Sequence, residues 1–535
     1  MAKKKITFQI DMEDIEEYAL KRKRQRKSAS IPKKLGDYDY RRFFVKRVII
    51  YFFIALFCTA FMFLLSASTS PLYKYYCDGD SSIFMLVGKG ITLGKDVYRD
   101  YFDHKGPILF YLNALGFWIT GTKTGVFIIQ CVFFSLTAIF MYKTARIFTK
   151  TIRSLICVLL AILAFASTIS DGNLSEEYCM LFCMIPIYLA VQFYTKAPDE
   201  PHPHSYMLAY GVCFALCAFI RINNGIMIGG IVLVALITDF SSDRVKHAFM
   251  NVLSFIAGML IVTVPIFMFF IIKGTFSDMV FSTFIFNFLY AAEGSSGKSG
   301  SEAFMLLQWI IPVAALILIS VIFSKRLGAR VSSLIVAVSV FALIPALMGF
   351  SYTHYYTTLI PLISLYCAVF FYIATQRINF WSVLMCVIMA LPLYSYFITL
   401  PYNVTHYSQK LYNQENPVTY RDIQSDISYS AEALTSYIPQ DERDSVFGYD
   451  VSAAWFLEAD IMPCYRLFTL QESWSEHYPE FGREINEFMQ TTPPRWVVIH
   501  NIEIIKSRQF LNIIDSDYEL VSEVGYDLLY KRKDG

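Results

Sequence analysis

Asp78-Gly79-Asp80 and, a little further on, Arg99-Asp100-Tyr101-Phe102-Asp103-His104-Lys105-Gly106-Pro107 put carboxylates, an imidazole and cations into one polar stretch, directly after the first strongly apolar segment. A carboxylate at the edge of a membrane, Asp80 or Asp103, can take a proton from an acceptor hydroxyl or amine. It can equally help to hold a divalent cation, which the sequence does not require. Asp80-Ser81-Ser82 before an apolar run also reads as a helix cap, and Asp78 competes with Asp80 for the catalytic part. Lys105 can meet a phosphate oxygen as a compact point charge. His104 can donate to the same anion or shuttle a proton. Pro107 suits the first turn of a following helix. The competing reading is a solvated loop closed by its own ion pairs.

Further along, Glu176-Glu177-Tyr178 opens an apolar run, where negative charge is also favoured simply because a helix begins there. Arg221, with Asn223 and Asn224, interrupts another. An arginine at membrane depth needs a partner or an anionic ligand, unless it snorkels to the interface. His354-Tyr355-Tyr356 can hydrogen-bond a phosphate or a sugar, or belong to an aromatic belt. Ser295-Ser296-Gly297-Lys298-Ser299-Gly300 lacks the spacing of a phosphate-binding loop, and 293–301 reads as an outer loop able to close over a substrate. Most of the 11 cysteines lie in apolar runs, and none form metal-binding spacings; Cys77 and Cys464 fall in loops and are the one pair open to bridging.

The elements that must position these residues are mostly membrane helices. The chain is 55% hydrophobic and 17% charged, with mean hydropathy +0.44. Roughly 20 apolar residues cross a bilayer. Runs of that kind at 46–69, 125–147, 152–170, 177–195, 206–221, 223–240, 248–272, 303–323, 331–350, 353–374 and 379–400 predict 11 spans. The apolar but short 106–121, with 80–93, reads as a pair of helices lying on the membrane surface. The net charge of +2 gives no sign of nucleic acid as a partner, because the positive charge is local.

Lysine and arginine orient the chain. The N-terminal segment 1–45, with its KRKRQRK run at 21–27, predicts a cytoplasmic anchor on the inner leaflet. The alternation then places the first loop, Glu176, Arg221, His354 and the tail together on the outer face. Residues 46–400 form the expected transmembrane catalytic part. Residues 401–535 form an expected extracytoplasmic α/β part, with strands at 445–449, 495–500, 518–524 and 526–531 and helices at 428–438, 452–459 and 479–490.

In this order and on one face, the motifs resemble those of membrane-embedded glycosyltransferases of the GT-C fold. The likeness is to bacterial family 39-like enzymes, relatives of the protein O-mannosyltransferases and of the lipid A aminoarabinose transferase. Asp80 and Phe84 match the acidic start of the first outer loop, and Tyr98 to Pro107 its second motif. Asn173-Leu174-Ser175-Glu176-Glu177-Tyr178, Arg221-Ile222-Asn223-Asn224 and His354-Tyr355-Tyr356 are similar to the later ones. Two positions depart from the family: Asp80-Ser81 stands for an Asp-Glu pair, and Lys105-Gly106-Pro107 for Lys-Pro-Pro.

The resemblance covers about 46–400 well and the tail loosely. It implies inverting hexosyl or pentosyl transfer from a polyprenyl-phosphate sugar to an acceptor at the outer face of a plasma membrane. Asp80, with Asp103, would be catalytic. Lys105, His104, Arg221 and His354 would hold the donor phosphate. Glu176, Glu177, Tyr355 and Asn224 would contact substrate, and no metal ligand is assigned. The alternatives are a lipid-linked polysaccharide polymerase or ligase, which uses later loops, and a transporter or flippase of lipid-linked sugars, which calls for charges at mid-span and internal repeats.

Overall fold

The computed structural model describes residues 36–293, 300–347, 352–374, 404–412 and 426–533, with Tyr402 and Gln414. The KRKRQRK run, the span expected at 379–400 and most of the loop at 293–301 lie outside the described residues. Among the described residues, 6 helices are long and apolar enough to cross a membrane: Phe44–Leu65, Lys123–Phe148, Ser175–Lys196, Ile222–Phe240, Val245–Lys273 and Thr353–Ala374. Shorter apolar helices include Thr151–Phe165, His204–Ala218, Trp309–Ile322 and Ala329–Pro345. Each span expected before residue 375 therefore coincides with a helix, though several are shorter than a bilayer requires.

Helix ends follow the chemistry of the sequence. Asp80–Thr92 and Pro107–Thr120 form the two short helices expected in the first loop. Pro107 begins the second, and Gly121 ends it in the left-handed region at φ 71. The single long apolar stretch from 204 to 240 breaks where its polar residues stand: His204–Ala218 stops, Arg221 is extended, Ile222–Gly225 makes a 3-10 turn, and Ile226–Phe240 resumes. Val245–Lys273 packs against His204–Ala218 through glycines. A β-carbon on Gly211 or Gly258 would fall 2.0 Å from Phe255 O or 2.1 Å from Leu208 O.

Cys58–Gly535 is one compact unit that holds both the helices and a small C-terminal sheet. The strands are β1 (Val446–Tyr449), β2 (Trp496–His500), β3 (Tyr518–Val524) and β4 (Asp527–Arg532), in the order β1-β2-β4-β3. β1 and β2 are parallel, and the β3–β4 hairpin adds antiparallel to β2. Phe447, Trp474, Phe481, Val497 and Phe510 form its core with the flanking helices. The expected strands and helices are present. Gln471–His477 and Arg508–Asp517 are further helices that the sequence reading missed. Cys77 and Cys464 are both free thiols, so the bridge does not form.

Candidate active site

Asp80 is the first residue of its helix, and its carboxylate makes no capping bond. It faces the Lys105 ammonium instead, Oδ2 to Nζ 3.7 Å. Asp78, the rival, is turned elsewhere: its Oδ1 accepts from Gly79 N at 2.7 Å and from the Ser452 hydroxyl.

Lys105 is 4% exposed and fixed from several sides. Its backbone N donates to Asp103 Oδ1 at 2.8 Å, and its carbonyl accepts from Tyr98 OH at 2.7 Å. Thr283 Oγ1 donates to Tyr98 OH at 3.1 Å, and Asn287 Nδ2 donates to the His104 carbonyl at 2.7 Å. The ammonium itself lies 3.0 Å from His104 Nε2 and 5.6 Å above the Phe84 ring. Gly106 then lets the loop lie flat on the chain that leads into Arg221. Gly106 N donates to Ile220 O at 2.9 Å and Ile108 N to Phe219 O at 3.0 Å. Two motifs more than a hundred residues apart in sequence are therefore stitched together by backbone, which puts Lys105 and Arg221 in one place.

Arg221 pairs with Glu176, which also accepts from Ser175 Oγ at 2.9 Å. The guanidinium stacks 4.2 Å from the Tyr355 ring centroid. Glu176, Arg221, Asn223, Asn224, Pro345 and Tyr355 line a cleft. Asn224 is buried, and its Nδ2 finds no hydrogen-bond acceptor among the described residues. His354 stacks on Tyr352 at 5.6 Å and meets Tyr355 edge-on at 4.8 Å.

Charge ties these groups together. Burial opposes ionisation of Asp80, but Lys105, His354 and Arg221 outweigh it and hold the carboxyl below its usual range. Burial dominates at Asp103 and raises its pKa despite the nearby Lys105. Burial, followed by Lys105 and Arg221, pushes His104 well below the usual imidazole range.

Asp80, Asp103, Lys105, Arg221, His354, Glu176, Tyr355 and Asn224 thus converge, and two expected site residues, Glu177 and His104, have other partners. Glu177 lies outside the cleft lining: its Oε2 accepts from Gln130 Nε2 at 2.6 Å and its Oε1 from Leu174 N at 3.3 Å, closing the start of its own helix. Gln130 Oε1 in turn accepts from Ser66 and Thr69, so Glu177 belongs to a buried structural network. His104 is neutral and bonded to Lys105, so it backs the lysine and adds no charge for an anion. Asn173 was quoted in a motif but given no role. Its Nδ2 donates to Ser81 Oγ at 3.0 Å and Asn113 Oδ1 at 2.9 Å, and its Oδ1 accepts from Tyr178 OH at 2.6 Å. It holds the helices Asp80–Thr92 and Pro107–Thr120 to the Glu176 turn, and its left-handed φ of 62 is a conformation that Asn-type residues favour.

A divalent cation fits this site poorly. The neighbours of Asp80 are Lys105, Arg221 and His354 with the carboxyl of Asp103, and among the described residues no group of three His, Cys, Asp or Glu is placed to hold a metal.

The fold is similar to that of ArnT from Cupriavidus metallidurans bound to undecaprenyl phosphate, with TM-score 0.58, 10% identity and coverage of 90% of this chain and 97% of that one. It is also similar to the apo state of the same protein, with TM-score 0.55, 12% identity and the same coverage. The Archaeoglobus fulgidus oligosaccharyltransferase tethered to an acceptor peptide containing the NVT sequon aligns with TM-score 0.50 at 11% identity, covering 90% of this chain and 74% of that one. The chain has the GT-C fold of membrane glycosyltransferases. No curated protein sequence matches it significantly. Residues 47–379 match the family described as the competence-induced protein Ccs4 N-terminal domain, and the chain belongs to that family.

Proposed function

We propose that the protein is an inverting glycosyltransferase that moves a sugar from a polyprenyl-phosphate donor to an acceptor at the outer face of the plasma membrane. The observation that carries this reading is the meeting of Asp80, Lys105, Arg221 and His354, drawn from three distant parts of the chain, beside the cleft that Arg221 lines. Lys105 and Arg221 bind the donor phosphate, with His354 and Tyr355 beside them. Asp80 takes the proton of the acceptor hydroxyl or amine. The acceptor atom bonds to the anomeric carbon as the bond from that carbon to the phosphate oxygen breaks. The polyprenyl phosphate leaves with the electron pair, its charge held by the two cations. Similarity to ArnT, which is seen bound to undecaprenyl phosphate, supports a lipid-phosphate donor. The direct test is release of polyprenyl phosphate from polyprenyl-phosphate sugars by the purified protein in lipid. No release with any hexosyl or pentosyl donor would refute the reading.

Arg221→Lys is expected to raise KM for the donor about tenfold, because a lysine cannot keep both the Glu176 pair and the flat contact with Tyr355. Steady-state kinetics against donor concentration check this.

The proposed organisation is a cytoplasmic segment 1–45, a transmembrane catalytic part 46–400 and an extracytoplasmic part 401–535. Reporters fused after residues 150 and 405 are expected to read cytoplasm and exterior respectively. Reporters on the same side would refute this topology.

A further inference from the structure

We propose that the C-terminal α/β segment is part of the donor site: it clamps the first outer loop and sets the position of Lys105 through Phe102, His104 and Trp474. The proposal rests on the donor-phosphate role given to Lys105 above.

The loop is gripped repeatedly by this segment. Tyr76 N donates to Glu458 Oε1 at 2.5 Å, and Ser452 bonds Asp78. Lys89 Nζ lies 2.5 Å from Asp460 Oδ1, but Asp460 is 83% exposed, and such a pair adds little. The strongest grip comes just before Lys105. Phe102 N donates to Arg466 O at 2.9 Å. The Phe102 ring, 2% exposed, leaves its own loop and joins the core of the C-terminal segment. It meets Phe481 at 4.7 Å and Trp474 at 5.8 Å, both edge-on. Arg466 lies 5.9 Å from the same ring and is itself fixed by two bonds of 2.6 Å to Glu484.

Trp474 also reaches past Phe102. It meets the His104 ring edge-on at 5.3 Å, and His104 Nε2 is 3.0 Å from the Lys105 ammonium. A line of direct contacts therefore runs from the core of the C-terminal segment to the cation. The backbone of the same residues is held separately by Tyr98 and Asn287. Loss of Trp474 should therefore shift the Lys105 side chain without releasing the loop. A displacement of about 1 Å is enough to cost roughly a hundredfold in a positioned site.

The test uses the full chain in detergent and two readouts. One is modification of Lys105 by an amine-reactive reagent, quantified by mass spectrometry, with the equally buried Lys123 as reference (7% exposed). The other is binding of undecaprenyl phosphate. In Trp474→Ala, labelling of Lys105 is expected to rise about tenfold with Lys123 unchanged, lipid affinity is expected to fall about tenfold, and Trp474→Phe is expected to restore both. Trp474→Ala combined with Lys105→Ala is expected to bind no worse than Lys105→Ala alone. Unchanged labelling of Lys105, a joint rise at Lys123, or additive losses would overturn the proposal. Lys105→Ala that binds the lipid as well as the wild type would overturn the donor reading, and with it the claim that the clamp serves the donor. The labelling ratio needs no lipid, so it tells the two failures apart.

Discussion

Asp80→Asn is expected to slow sugar transfer by about 10²- to 10⁴-fold, the range that a positioned proton acceptor contributes, while insertion and folding stay intact. The amide keeps the size of the carboxylate and cannot accept the proton. Removing one partner of a fully buried ion pair costs about 3–5 kcal/mol. The Asp80 side chain is 37% exposed and 3.7 Å from Lys105, so its loss should cost well below that figure. The sign of the pH effect also follows. Lys105, His354 and Arg221 hold the Asp80 carboxyl below its ordinary value, so it stays ionised as pH falls through the usual carboxylate range. The acid limb of the wild-type rate profile should therefore lie lower than that of a free carboxylate. Turnover of radiolabelled donor across pH, alongside the thermal unfolding midpoint, checks both claims. Full activity in the variant would remove Asp80 from its role.

Gly106→Ala is expected to abolish most activity for a different reason. Its φ of −74 suits any residue, so the backbone conformation is not at issue. The added methyl would fall 2.1 Å from Phe219 O and 2.9 Å from Ile220 N, both backbone atoms that cannot swing aside. The loop must lift off the turn leading into Arg221, at a cost of about 1–3 kcal/mol as overpacking. The kinetic loss should be larger, about a hundredfold, because the lift separates Lys105 from Arg221. Gly79→Ala is the contrast: nothing stands within 4 Å, and its penalty comes only from φ 99. Equal activity of Gly106→Ala and the wild type would show that the two cations need not be held together.

This glycine also marks the limit of what the sequence reveals. The helices were legible because apolar runs and their polar breaks are local signals; Arg221-Ile222-Asn223-Asn224 announces its own break. Asp80, Lys105 and Arg221 were legible because charge beside a membrane is costly and needs a reason. The departure at Gly106 was visible, but its cause, a carbonyl from residue 219, lies outside any local window. For the same reason Glu177 was grouped with Glu176. Adjacent helix residues point in different directions, and only the fold shows that one carboxylate meets Arg221 and the other Gln130. His104 was read as a donor to the phosphate or a proton shuttle, and the apolar rings packed around it, Trp474 and Phe286, come from far along the chain.

The Phe102 anchor has a consequence for biosynthesis. Trp474 and Phe481, which meet the Phe102 ring, are made 372 and 379 residues after it. At roughly 5–20 residues per second, that gap is tens of seconds. Throughout it the nascent chain carries a phenylalanine whose Trp474 and Phe481 partners are not yet made, so the packing behind Lys105 is completed only after the C-terminal segment has been synthesised.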